Sequence, residues 1–219
     1  MDLYIYRQIG MSKVNVLFWK PLACFDTFFN HFVSALTFGE FCHCEMDFVM
    51  TKREWKGVLS SFQISSKAKQ RSEIVWKRME DLLKNIDEDT SIHLVFYTVW
   101  GSELNIRMLT ANDPFVFNRL PDPRYTYTHP LEMSSEETRL ALGFCFQELH
   151  KKYNSKGAAT FFIPRFESVC PRDFHRLPSK YFCSEFIVYM LQQIKPPYRE
   201  YYPENITPND LKKLLDTLN

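Results

Sequence analysis

A cysteine does covalent chemistry as its thiolate, and the first turn of a helix favours that form because unpaired N–H groups and the aligned peptide dipoles attract negative charge. Cys183 has such a placement: Phe186, Ile187, Met190, Leu191 and Ile194 recur at helical spacing over 183–194, behind the turn former Pro178. A thiolate nucleophile also needs a base to carry its proton and a polar group to hold that base in one orientation. Over 41–50 the chain alternates, with Cys42, Cys44, Met46, Phe48 and Met50 on one face and His43, Glu45 and Asp47 on the other. His43, with Glu45 two residues on, supplies a candidate base and its orienting group. The chemistry such a set performs is acyl transfer from an amide or ester, without a cofactor. Each residue alone also has a blander use, since buried core thiols and half-buried strand histidines are common, and spacing by itself does not bring positions 43 and 183 together.

The same residues raise the question of zinc. Cys42, His43 and Cys44, joined by Cys183 or Cys24, supply ligand types, but successive strand residues point to opposite faces and Cys-x-Cys is not the usual spacing. No metal site is expected. His93 and His129 have no evident partners, and His150 and His175 sit beside Lys or Arg at expected surface positions. Glu185, two residues after Cys183, either assists at the helix start or complements its dipole.

The elements that must position these groups follow from periodicity. Strands are predicted at 14–19, 41–50 and 58–64, and a hairpin at 92–100 and 104–109 around Gly101-Ser102. A short strand is predicted at 158–163. Helices are predicted at 24–36, with Phe25, Phe28, Phe29, Phe32 and Leu36 on one stripe, and at 67–84. A capping box, Ser134 with Glu137, opens a helix to about His150 whose apolar side is Leu140, Ala141, Phe144 and Cys145. Thr207 as N-cap with Pro208 at the first helical position starts a last helix, striped by Leu211, Leu214, Leu215 and Leu218. The Pro-rich stretches 121–130 and 164–178 read as surface loops, and Tyr198, Tyr201 and Tyr202 as a cluster that either frames a cleft near Cys183 or packs a loop. The expected fold class is α+β, an antiparallel sheet packed against helices, in one domain over 1–219, with 65–157 a possible insertion or lid.

Composition narrows the alternatives. In 219 residues, 27 Lys plus Arg balance 26 Asp plus Glu, leaving no basic footprint for nucleic acid. The six glycines, at 10, 39, 57, 101, 143 and 157, are too dispersed for GxGxxG, a P-loop or GxSxG, each of which needs neighbouring glycines. Six cysteines without a CxxC pair fit free thiols in a reducing, cytoplasmic compartment, and neither a secretory signal nor a transmembrane segment is read from the sequence.

The segment Lys180-Tyr181-Phe182-Cys183-Ser184-Glu185-Phe186-Ile187-Val188 resembles the Tyr-Cys-Ser-Glu signature and following apolar helix of the circularly permuted NlpC-type thiol peptidases, the papain-like branch with YiiX-like bacterial, phage and poxvirus members. Cys42-His43-Cys44-Glu45 is similar to the family's early histidine strand, and Thr207-Pro208-Asn209-Asp210-Leu211 to its (Ser/Thr)-Pro-x-x-Leu helix after the cysteine. The resemblance covers about residues 14–64 and 158–219. It implies a permuted papain-like fold, with the His strand first and the Cys helix last, Cys183 as nucleophile and His43 as base. For the third group it leaves Glu45, matching a His-x-Glu variant, against Ser60, Ser61 or Gln63 on the strand expected after the histidine. It implies a peptide or a lipid or acyl ester as substrate, and a viral protein or one of viral-type lineage. An alternative of another class keeps the fold as a catalytically weak or inactive binding or virion-structural module. A third places an acyltransferase or lipid-binding protein on a membrane surface, with an apolar entrance around Phe28–Phe32.

Overall fold

The computed structural model describes residues 13–21, 39–61, 73–110, 126–159 and 177–218. Five strands form an antiparallel sheet, β1 (Lys13–Trp19), β2 (His43–Thr51), β3 (Ser91–Tyr97), β4 (Asn105–Thr110) and β5 (Thr126–Leu131), in the order β4-β3-β2-β1-β5. Helices α1 (Lys52–Ser61), α2 (Glu73–Lys84), α3 (Ser135–Glu148), α4 (Ser155–Ala159), α5 (Cys183–Ile194) and α6 (Pro208–Leu218) accompany it, with a two-residue parallel pair of β6 (Lys152–Tyr153) and β7 (Lys180–Tyr181). The protein is therefore α+β with an antiparallel sheet. Three of the five strands come from 65–157, so the described part of that stretch completes the sheet.

The apolar face of β2 packs as its alternation demands: Cys44, Met46, Phe48 and Met50 lie in one core with Ala141, Cys145, Phe146, Phe186, Ile187 and Met190 of α3 and α5. Aromatic rings dominate that core, with Phe146 in edge contact with Phe96 at 5.2 Å and stacked on Trp76 at 5.9 Å. The opposite face is also buried. Leu17, Val95 and Leu109 form a second small cluster there, and Glu45 and Asp47 expose only 4% and 1% of their surface. The titratable face of β2 is thus an interior one.

Several expected elements differ. Residues 58–61 end helix α1 instead of starting a strand: the Thr51 N–H donates to Glu54 Oε2 at 2.6 Å and the Glu54 N–H to Thr51 Oγ1 at 3.2 Å, a capping box that commits the chain to a helix directly after β2. The Pro-containing 126–130 is no loop but β5, where Pro130 is tolerated because β5 is the edge strand of the sheet among the described residues. Of the apolar side expected for α3, Ala141, Phe144 and Cys145 are buried and Leu140 is exposed; Thr138, Leu142 and Phe146 extend the buried stripe. Ala158 and Ala159 are helical, Asn154 Oδ1 accepting the Gly157 N–H at 3.0 Å. The predicted 24–36 helix, including the Phe28–Phe32 stripe, the start of the 67–84 helix, residues 160–163 and 164–176 lie outside the described residues.

Other expectations hold. The 92–109 hairpin forms with Gly101 at φ 76°, the left-handed conformation its turn requires. Ser134 and Glu137 make their reciprocal cap at 2.7 and 3.2 Å. Thr207 caps α6 through Asp210, whose N–H donates to Thr207 Oγ1 at 3.1 Å.

One contact joins the two ends of the chain. The Asn209 side chain accepts the Phe41 N–H at 3.0 Å and donates to the Phe41 carbonyl at 2.9 Å, two residues before His43. Its carboxamide lies where a Cβ on Gly39 would stand, 2.1 Å away, so only glycine permits the approach. Asn209→Ala leaves both buried Phe41 groups unpaired and is expected to cost about 2–3 kcal/mol. Urea unfolding with an unshifted midpoint for both Asn209→Ala and Gly39→Ala would contradict this.

Candidate active site

The start of α5 is held from three sides before any chemistry is considered. Tyr153 pairs with Tyr181 in the short parallel ladder, and the Asn154 N–H donates to the Tyr181 carbonyl at 2.8 Å. The Tyr181 hydroxyl donates to the buried Glu148 carboxylate, which also meets Lys151, and Lys151 Nζ reaches the Pro178 carbonyl at 2.8 Å. The tyrosine of the Tyr-Phe-Cys-Ser-Glu segment therefore ties the cysteine's approach to the end of α3. Inside the helix, Glu185 accepts the Phe182 N–H at 3.2 Å and Asn154 Nδ2 at 3.1 Å, closing the first turn. This is the dipole-complementing use of Glu185. Ser184 Oγ donates to the Ile206 carbonyl at 2.6 Å, anchoring the same turn to the approach of α6.

His43 and Glu45 stand on the facing strand. Residues two apart on a strand are splayed by roughly 6–7 Å, a gap that the imidazole and the glutamate chain bridge: His43 Nε2 lies 3.3 Å from Glu45 Oε1. The other carboxylate oxygen accepts Arg107 Nη2 at 2.5 Å, and the guanidinium stacks over the Tyr97 ring at 4.7 Å. Cys183 lies close enough to the His43 side chain and to Cys44 for each to act on its charge. The structure thus brings Cys183, His43 and Glu45 into one cluster. Ser60 and Ser61 fall in α1 and not on a strand; their side chains, and Gln63, lie outside the described residues.

The electrostatics follow from burial set against charge. The hydrogen bond from the Cys44 thiol, opposed by burial and reinforced by the charge and hydrogen bond of His43, holds Cys183 well below the ordinary thiol range. Burial would lower the pKa of His43, but the Cys183 sulfur and then Glu45 push it up to about 10. For Glu45, burial favours the neutral acid, yet Arg107 and then His43 keep it below the usual carboxylate range. Burial, then the Cys183 charge, push the Cys44 thiol well up, so Cys44 keeps its proton. Near neutral pH the cluster is a file of alternating charges: thiolate, imidazolium, carboxylate, guanidinium. The His43 side chain is 17% exposed, so the pair is reached from solvent at its rim.

Further groups surround it. Burial and the charge of Cys183 push the Tyr153 phenol up, and Trp100, 51% exposed at the hairpin tip, meets the Tyr153 ring at 5.7 Å. Tyr198 is a core residue, and Gln192 Nε2 donates to the carbonyls of Tyr198 and Tyr201 at 3.1 and 2.7 Å, so this tyrosine cluster packs a loop. His93 does have a partner: its Nδ1 is 3.0 Å from Asp47, which also accepts Asn15 Nδ2 at 3.0 Å. His129 lies 3.5 Å from Asp216. His150 is no surface residue; its side chain is 8% exposed and lies 3.2 Å from Glu103. His175 lies outside the described residues. Among the described residues, no three His, Cys, Asp or Glu side chains are arranged to hold a metal ion, and no helix is long and apolar enough to cross a membrane.

Sequence reasoning did not single out Arg107, Tyr153 or Asn154, and it placed Cys44 on the packing face of its strand and among the ligand types of a zinc site it did not expect. An arginine between Ile106 and Met108 on a strand is a signal in itself, because a charge at a half-buried position requires a counter-charge. No family model matches the chain, and no curated protein or solved structure matches it.

The charge file sets a pH dependence. As pH falls through the depressed pKa of Cys183 the thiolate is protonated and its reactivity disappears; above that pKa reactivity is full. Iodoacetamide labelling of Cys183 is therefore expected to persist well below the ordinary thiol value of about 8.5. Glu45→Gln removes the charge that supports the imidazolium and His43→Ala removes the imidazolium, so both move the onset to higher pH, His43→Ala further. Wild-type labelling that follows the ordinary thiol titration would refute the ion pair.

Proposed function

We propose that the protein is a cysteine-dependent hydrolase or acyltransferase, thiol peptidase-like, with a permuted papain-like arrangement in which the His strand precedes the Cys helix. The observation that carries this reading is the buried file His43–Glu45–Arg107, at 3.3 Å for the imidazole–carboxylate step and 2.5 Å for the carboxylate–guanidinium step, with Cys183 within electrostatic reach of His43. A nucleophile, a proton carrier and an orienting carboxylate in that sequence are what acyl transfer needs.

The Cys183 thiolate adds to the carbonyl carbon of an amide or ester, and the carbonyl π electrons move to oxygen. Backbone N–H groups at the start of α5 face the developing oxyanion. As the tetrahedral adduct collapses, the His43 imidazolium gives its proton to the departing amine or alkoxide, leaving a thioester on Cys183. Water or another acceptor then attacks that thioester while neutral His43 takes its proton, and the thiolate–imidazolium pair is restored. Glu45 keeps Nε2 occupied, so the ring presents one nitrogen to sulfur, and Arg107 fixes Glu45. No cofactor enters the sequence.

The substrate classes are a peptide or a lipid or acyl ester, with no nucleic acid as partner, and the free thiols fit a reducing, cytoplasmic compartment. Descent from a viral-type lineage rests on the Tyr-Phe-Cys-Ser-Glu resemblance. Glu45, 3.3 Å from His43, supports this reading over the alternative of a catalytically weak or inactive binding or virion-structural module.

p-Nitrophenyl acetate tests the reading without knowledge of the natural substrate. Mass spectrometry of the quenched protein is expected to show an acetyl thioester on Cys183. Cys183→Ala abolishes it, and His43→Ala and Glu45→Gln slow its turnover by about 10³-fold and about 10-fold. Rapid alkylation of Cys183 by iodoacetamide with no thioester formed from the ester would overturn acyl transfer.

A further inference from the structure

The tip of the β3–β4 hairpin and the start of α5 belong to one hydrogen-bonded strip. The Tyr153 N–H donates to the Ser102 carbonyl at 2.9 Å and the Leu104 N–H to the Lys151 carbonyl at 2.8 Å, so the hairpin turn is zipped to β6. β6 in turn pairs with β7, Tyr153 against Tyr181, and α5 begins two residues later at Cys183. Neighbouring strands lie about 4.8 Å apart and two residues of chain span at most about 7 Å, which puts the Tyr153 Cα within about 12 Å of the Cys183 Cα. Paired residues share a face of their ladder. Tyr181 turns its ring to Phe186 and Tyr189 of α5, at 5.7 and 5.8 Å, and Tyr153 is on that face.

An apolar wall stands on this strip. Trp100 and Val99 are neighbours at the hairpin tip and expose 51% and 42% of their surface, and the Trp100 ring lies 5.7 Å from the ring of half-buried Tyr153 at an interplanar angle of 53°. An indole and a valine side by side leave apolar area in water that a turn does not require. The wall is also fixed in place. Gly101 takes the left-handed conformation of the turn, and Ser102 Oγ accepts the Val99 N–H at 3.2 Å and donates to the Val99 carbonyl at 2.8 Å.

We propose that Trp100 and Tyr153, with Val99 beside them, form an apolar subsite for the acyl half of the substrate, and that this half is a hydrocarbon chain. The inference rests on Cys183 being the nucleophile of the proposed acyl transfer. The strip itself separates a hydrocarbon from a peptide. Extended peptides are held by main-chain hydrogen bonds to an open strand edge, whereas the N–H groups of Val99, Ser102, Leu104, Tyr153 and Asn154 are all engaged within the strip. What the wall offers is ring surface, and a hydrocarbon chain is the acyl group that ring surface alone binds. Such a chain runs from the carbonyl at the start of α5 across Tyr153 to Trp100, and because both rings are already in place little ordering cost falls on binding.

The test has two arms on the full chain. In the first, Cys183→Ala, which forms no thioester, is titrated with octanamide, acetamide and N-acetyl-phenylalanine amide while acrylamide quenching of tryptophan is read. Trp100 is the exposed tryptophan, Trp55 and Trp76 being buried and Trp19 half-buried. Octanamide is expected to shield it, with loss of the quenchable component, and acetamide to leave the quenching as it was; adding Trp100→Ala to the same background removes the effect. In the second arm, thioester formation on Cys183 is read by mass spectrometry with p-nitrophenyl octanoate and acetate in competition. Wild type is expected to favour the octanoyl ester about tenfold or more, and Trp100→Ala and Tyr153→Leu, each checked for folding by circular dichroism, to bring the ratio towards parity. A ratio that Trp100→Ala leaves unaltered, quenching that octanamide leaves unaltered, or shielding by the phenylalanine amide in place of octanamide overturns the subsite. Shielding by octanamide in a chain that forms no thioester from either ester leaves the apolar site standing and sinks acyl transfer; thioester formation without shielding does the reverse.

Discussion

A carboxylate with 4% of its surface exposed is stable in a protein interior only beside a compensating cation, and the ion pair of Glu45 with Arg107 meets that condition. The rest of the site depends on it. Without Arg107, Glu45 would take up a proton and stop supporting the His43 imidazolium, and Cys183 would lose its counter-charge. Strand register decides whether the pair forms: Asp47 lies opposite Val95 on β3, and Val95 opposite Arg107 on β4, which puts Arg107 on the His43–Glu45 face. A slip of one residue between β3 and β4 would turn the guanidinium into the opposite core. The hairpin turn at Gly101, which fixes that register, therefore reaches the nucleophile through the ladder.

The second requirement is that two ends of the chain meet. Residues 43–45 of β2 pair with β1, but the ladder to β3 begins only at Met46, and α5 packs on β2. The early strand reaches the late helix with help from two bridges. Asn209 grips the backbone of Phe41, and Ser184 is bonded to the Ile206 carbonyl. Both anchors lie at the start of α6 or just before it, so the Thr207-Pro208-Asn209-Asp210-Leu211 segment acts as a clamp between the histidine strand and the cysteine helix. Its capping chemistry makes the helix, and its third residue makes the tie.

What was legible in the sequence follows the range of the forces involved. Caps and periodicity are local, so the α3 box at Ser134, the α6 start at Thr207 and the Cys183 helix could be read directly. The Thr51–Glu54 box is equally local but is masked by the apolar run after it, whose Val58 and Leu59 suit a strand as well as a helix. The alternation over 42–50 identified β2 and its two faces. It could not tell that the polar face is interior, because what buries Glu45 and Asp47 comes from distant segments. Arg107 illustrates the same limit: its residue type announces a buried partner, and only the β2-β3-β4 register says which one. Leu140 and His150 were misread for the converse reason, since a composition of neighbours does not say which side of a helix end meets the core.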